Sequence, residues 1–145
     1  MGDKMEDINA LDEIHKGSCM GVDAISFILD KVEDNKLEKL LRKQYKSYKD
    51  ICERIETIYS NYNEGKPHST SMPEKVMTDW MVNMKTMVDK STSHITELLI
   101  QGTNMGIIEG RRILNKKNLN EEVNDLVQEY VTMQEKYLDN LKEFL

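Results

Sequence analysis

The sequence predicts an all-α chain made of two antiparallel helical hairpins, and three observations predict it. Gly (7) and Pro (2) are scarce while 32% of the 145 residues are charged, the composition of long amphipathic helices. Apolar residues recur in alternating steps of three and four along most of the chain, which places them on helical stripes. Finally, KGSCMG at 16–21 returns as QGTNMG at 101–106. At a shift of 85 (102 − 17), Gly17, Met20, Gly21, Ile28, Leu29, Lys31, Asn35, Leu41 and Tyr45 fall on Gly102, Met105, Gly106, Ile113, Leu114, Lys116, Asn120, Leu126 and Tyr130. Matched glycines, a matched turn and matched stripes read as an internal duplication of one hairpin.

The first helix carries Ile8, Leu11, His15, Ser18, Val22, Ile25, Leu29 and Val32 on one stripe and ends near Glu33. NKLE at 35–38 reads as an N-cap with a carboxylate three residues on. It opens a second helix with the stripe Leu37, Leu41, Tyr45, Tyr48, Cys52, Ile55, Tyr59 and Tyr62. A turn this short makes the two helices antiparallel neighbours, so the first hairpin spans 5–63.

NEGKPHSTSMP (63–73) holds Gly65 and both prolines and starts a crossover over 64–90. Ser71 with Glu74 reads as a capping box for an extra helical segment bearing Met77, Trp80, Met81, Met84, Met87 and Val88 on one side. The polar, β-branched DKSTSH (89–94) interrupts that segment as a kink or a short break. The second hairpin, 91–145, shows Ile95, Leu98, Leu99, Gly102, Met105 and Ile113, then NLNE (118–121) as a capping signal. The last helix carries Leu119, Val123, Leu126, Tyr130, Met133, Tyr137, Leu141 and Phe144. A chain of 145 residues fits one domain with a real core.

A net charge of −6 without a concentrated basic face argues against a nucleic-acid partner. Arg111, Arg112, Lys116 and Lys117 sit at a helix end, where cations complement the dipole. The start, MGDKMEDINALDEIHKG, is acidic and has no continuous apolar run, and no later run is long enough to span a bilayer. The expectation is a soluble cytoplasmic protein. Cys19 and Cys52 lack metal-type spacing. With the turn centred near 34–35, position 19 falls opposite about 50, so the thiols either stay buried and free or form a redox disulfide.

Mid-helix Gly costs about 1 kcal/mol relative to Ala. Gly17, Gly21, Gly102 and Gly106 are therefore expected to serve close helix packing, the alternative being a ligand-lining role. Met77, Trp80, Met81, Met84 and Met87 either cap the chain's own core or form a self-association surface for a homodimer; in the second case Trp80→Ala would shift the mass in solution. The thioethers also suit Cu(I), although Met stripes are more often adaptable packing.

With its I..L..I opening helix (Ile8, Leu11, Ile14) and a Trp-containing stretch DWMVNMKTM after the crossover, the chain resembles the ferritin-like four-helix-bundle superfamily. It is most similar to short, uncharacterised bacterial members, over nearly its whole length. The resemblance implies two hairpins joined by a long crossover and, in the superfamily, a di-metal centre. That centre uses one carboxylate from each of two helices and Glu-x-x-His from each of the other two. Carried over, Asp12 and Glu97 suit the single-carboxylate positions, while Asp50 and Glu135 begin the paired motifs. DICE (50–53) and EKYL (135–138) lack the histidine; His15 follows Asp12 by three and His94 precedes Glu97 by three. Two functional readings stand side by side. One is a metal-free bundle with a structural or interaction role and no reaction. The other is a metal-binding or redox bundle with a degenerate site for Fe, Mn or Zn from Asp12, His15, Asp50, His94, Glu97 and Glu135.

Overall fold

A computed structural model describes residues 4–62, 74–116 and 118–145. The elements are α1 (Lys4–Ile28) with a closing 3₁₀ turn (Leu29–Lys31), α2 (Asn35–Ser60), α3 (Glu74–Lys85), α4 (Thr92–Lys116) and α5 (Glu121–Leu141), followed by a 3₁₀ turn (Lys142–Phe144).

Side-chain pairs set the direction of each helix. Tyr59 donates its hydroxyl to the Ile8 carbonyl while Cys19 lies against Cys52, so α1 and α2 are antiparallel. Arg111 pairs with Glu135 and Gly110 lies against Val131, which makes α4 and α5 antiparallel too. Asn120 binds Asp7 and Tyr130 packs on Gly17; the larger number exceeds the smaller by 113 in both pairs, so α1 and α5 run parallel. It follows that α2 and α4 also share a direction. The chain between them must return along the bundle, and α3 lies on that return, with Trp80 seated on α4 at Leu98 and Gly102. This is an all-helical, ferritin-like arrangement of two hairpins with an extra helix in the crossover.

The stripe expected on α2 is buried from Leu37 to Tyr59, apart from half-buried Tyr45. On α1 the buried face is wider than one stripe. Ile14, Ala24 and Ile28 are interior, whereas His15 and Val22 lie at its edge, because α1 packs on α2, α4 and α5 together. Large residues with essentially no exposure, among them Leu11, Ile14, Leu41, Ile55, Tyr59 and Tyr130, each contribute about 1.5–3 kcal/mol on burial.

Both hairpin caps differ from the sequence expectation. The N-cap of α2 is Asp34, whose carboxylate accepts the N–H groups of Lys36 and Leu37 at 2.9 Å each. Asn35 is the first helical residue, and Glu38 pairs with Arg42 at 2.9 Å instead of closing a capping box. A carboxylate at this place also meets the positive end of the helix dipole. Within NLNE the N-cap position of α5 is Asn120, but the Asn120 side chain does not cap the helix. Its amide reaches Asp7 on α1, as does its backbone N–H.

DKSTSH proves to be a break. Asp89 accepts the Ser91 N–H at 2.9 Å, and Ser91 caps α4 through its hydroxyl to the His94 N–H at 3.3 Å. The loop 63–73 and the Ser71/Glu74 box lie outside the described residues.

Candidate functional site

His15 and Cys19 are spaced i,i+4 on α1, and Cys52 and Glu56 are spaced i,i+4 on α2. Each pair therefore projects from one face of its helix, and the antiparallel register sets the pairs opposite one another. The Cys19 and Cys52 sulfurs are 3.4 Å apart. Both ring nitrogens of His15 lie near the Cys19 sulfur, Nδ1 at 3.8 Å and Nε2 at 3.7 Å, and Nε2 is 3.2 Å from a Glu56 carboxylate oxygen. Cys52 is buried while Cys19 is half-buried.

This contact polarises the two thiols in opposite senses. Cys19 is pulled down to about 5, first by its hydrogen bond with Cys52 and then by His15. Cys52 is pushed up, first by Cys19 and then by burial. The imidazole of His15 is held above its usual range, chiefly through its hydrogen bond with Cys19 and further by Glu56. The Cys52 thiol and the His15 ring thus both favour the charged form of Cys19 over that of Cys52.

The other sequence-derived candidates are distributed elsewhere. Asp50 is exposed and pairs with Arg54 at 3.4 Å, and Glu135 pairs with Arg111 at 3.0 Å. Glu97 is exposed on α4 and His94 sits half-exposed in its first turn, while Asp12 is buried on α1. Among the described residues, the group of three or more His, Cys or carboxylate side chains close enough to share an ion is His15, Cys19 and Cys52. Of the candidate ligands, the structure brings His15 to that group.

Gly17, Gly21, Gly102 and Gly106 all line a cavity of about 50 Å³ in the bundle interior, together with Tyr48, Trp80, Tyr130, Gln134 and Tyr137. What approaches each glycine is a side chain. A methyl group would meet the Tyr130 hydroxyl at Gly17, the Tyr48 ring at Gly21, the Trp80 ring at Gly102 and the Gln134 carboxamide at Gly106. Tyr48 cannot retreat freely, because its hydroxyl donates to Gln134 at 2.9 Å. Gly21→Ala is accordingly expected to destabilise. Overpacking costs about 1–3 kcal/mol, against the roughly 1 kcal/mol that Ala adds to helix propensity. Urea unfolding reads the difference, and a variant more stable than the native protein would show that the ring yields.

Met77, Trp80 and Met84 are buried against the chain's own core, and Met81 and Met87 are partly buried beside it. The Trp80 indole N–H donates to the Leu98 carbonyl at 2.8 Å.

The family whose description is domain of unknown function DUF2383 matches residues 6–116, a span that holds α1 to α4 and the whole His15–Cys19–Cys52 group. The chain belongs to the DUF2383 family.

Two solved structures share the DUF2383 chain's fold. One is a DUF305 fragment from Deinococcus radiodurans, with a TM-score of 0.79 and 11% identity over 98% of this chain and 95% of that one. The other is described as a dodecameric thioferritin, the bacterioferritin-related protein from Bacteroides fragilis, with a TM-score of 0.74 and 9% identity over 98% of this chain and 85% of that one. No curated protein matches. No helix among the described residues is long and apolar enough to cross a membrane.

A ferritin-like fold implies a di-metal centre in the bundle core, where about four carboxylates and two imidazoles would converge. Among the described residues, those that line the interior cavity do not fit it. The interior cavity is lined by Gly, Ala, Ile, Leu, Met, Tyr, Trp, Thr and Gln, with neither carboxylate nor imidazole. The sequence held a signal for the cluster that does form: two i,i+4 pairs, His15/Cys19 and Cys52/Glu56. The facing of Cys19 and Cys52 was expected from the turn centre, which sets position 19 opposite about 50, and the structure sets it against Cys52; the meeting of His15 with this pair was not read from the sequence.

Proposed function

We propose that this protein is a thiol-redox bundle in which Cys19 and Cys52 cycle between dithiol and disulfide, with a small hydroperoxide as the oxidant. The observation that carries the reading is the 3.4 Å separation of the two sulfurs, from which a rotamer adjustment reaches bonding distance, about 2 Å. The asymmetry of the pair assigns the roles. Cys19 is the more exposed and the lower of the two, so it is the attacking thiolate, and buried Cys52 resolves.

The Cys19 thiolate attacks a peroxide oxygen; an S–O bond forms as the O–O bond breaks. The alkoxide or hydroxide that leaves takes the proton of the His15 imidazolium. Cys52 then attacks the Cys19 sulfenic acid, an S–S bond forms as the S–O bond breaks, and the hydroxide leaves as water with the Cys52 proton. Two electrons pass from the two thiols to the peroxide, and a thiol reductant restores the pair.

With metal-free protein and one equivalent of hydrogen peroxide, the expected result is loss of both thiols and of two hydrogens in mass. In Cys52→Ser a sulfenic acid should accumulate on Cys19 and be trapped by dimedone. Thiols that react no faster in the folded protein than in denaturant would remove the reading.

A further inference from the structure

The same corner of the bundle has the form of a coordination site. His15 and Cys19 occupy successive turns of α1, Cys52 and Glu56 successive turns of α2, and the two helices hold them face to face. We propose that His15, Cys19 and Cys52 bind one borderline-soft divalent ion of the zinc type, with Glu56 as the carboxylate that orients the imidazole. This site goes beyond the redox reading and needs only the reduced thiols.

Donor chemistry and distances both select the ion. Two thiolates and an imidazole suit zinc-like ions, whereas hard cations require several oxygen donors. Tetrahedral coordination with Zn–S near 2.3 Å and Zn–N near 2.0–2.1 Å sets the sulfurs about 3.8 Å apart and each sulfur about 3.5 Å from the nitrogen. The sulfurs stand 3.4 Å apart, and the Cys19 sulfur is 3.7 and 3.8 Å from the two ring nitrogens. The separations around Cys19 are thus within a few tenths of an ångström of tetrahedral values, and all three donors lie within 4.8 Å of one another. A linear two-thiolate ion would hold the sulfurs two bond lengths apart, roughly 4.6 Å, more than an ångström wider than they are.

Glu56 accounts for the orientation of the ring. Its carboxylate lies 3.2 Å from His15 Nε2, so an Nε2–H donated there leaves the lone pair on Nδ1, which lies 3.8 Å from the Cys19 sulfur. Carboxylate–imidazole–metal chains fix the tautomer of ligating histidines in this way. Three protein ligands leave a fourth position for water, toward the side where the Glu56 side chain is 59% exposed. Among the described residues the second hairpin holds no counterpart of the site. At the shift of 85 that relates the two hairpins, its four positions become Ile100, Asn104, Tyr137 and Leu141, which supply no comparable set.

Cobalt(II) titration of the reduced protein tests the proposal. The expected result is one ion per chain, with thiolate-to-cobalt charge transfer in the near ultraviolet and strong visible bands of tetrahedral cobalt, all displaced by zinc. Cys52→Ser and His15→Ala should lose those bands while keeping native circular dichroism. Glu56→Gln should keep the bands and bind about 10- to 100-fold more weakly. Native protein with both thiols blocked by oxidation or alkylation should bind no cobalt, which provides the control if a variant does not fold. Absence of charge transfer in the reduced native protein, or undiminished bands after the thiols are blocked, overturns the site. Cobalt binding by a protein whose thiols resist peroxide would keep this site and remove the redox reading; the converse would remove this site alone.

Discussion

Trp80→Ala is expected to lower the stability of the fold by about 3–5 kcal/mol, the range for truncating a buried aromatic side chain, and to leave the mass in solution unchanged. The indole is 9% exposed, rests on the face of α4 that Gly102 opens for it, and donates to the Leu98 carbonyl. It also lines the cavity between the helices, so its loss enlarges that space. Trp80→Phe retains most of the ring but not the hydrogen bond, and its loss should be nearer 1 kcal/mol. Denaturant unfolding with light scattering on the same samples separates the outcomes. A folded Trp80→Ala variant with native stability and a reduced mass would place the indole in an interface between chains.

Asp7→Ala should cost about 1–3 kcal/mol for each buried donor that it leaves unsatisfied. Asp7 is fully buried near the start of α1. It accepts the Asn120 backbone N–H at 2.9 Å, the Asn120 side-chain amide at 2.5 Å and the Tyr62 hydroxyl at 2.8 Å. One carboxylate thereby joins the start of α1, the end of α2 and the start of α5, and it lies at the positive end of the α5 dipole. Without it those donors lose their acceptor, which is more damaging than the loss of the bonds themselves. Asp7→Asn keeps one acceptor oxygen and should fall between the two. Hydrogen exchange at the Asn120 amide gives a local readout beside the unfolding midpoint. A loss below about 1 kcal/mol in Asp7→Ala would show that water replaces the carboxylate.

Most of the α2 and α5 faces were legible, because a 3.6-residue period survives in the sequence wherever one helix side meets the core. Leu37, Leu41, Tyr48, Cys52, Ile55 and Tyr59 are buried as that period requires, as are Val123, Leu126, Tyr130, Tyr137 and Leu141. Caps were less legible. Asp34 and Asn35 are adjacent residues with similar capping ability, and local sequence does not rank them. Asn120 has the right type for a cap, but its side chain is captured by Asp7, 113 positions away (120 − 7). The glycines announced close approach without naming what approaches; it is the side chains of Tyr130, Tyr48, Trp80 and Gln134, each from another helix.

The His15–Cys19–Cys52 group shows where the boundary lies. Its i,i+4 spacings are local and could be read directly. The short turn already set Cys19 across from Cys52, whereas the arrival of the His15 ring between Cys19 and Glu56 depends on how the two helix faces pack. By itself the sequence determined the helices, their hairpin pairing and the absence of a histidine from the Glu-x-x-His positions, because periodicity, short turns and residue identity are local properties. Only the tertiary structure decided which candidates meet. It paired Asp50 and Glu135 with arginines, buried Trp80, and set two sulfurs and an imidazole within 4.8 Å of one another. Such meetings depend on the rotation and offset of packed helices, which are settled by the side chains of the whole core at once.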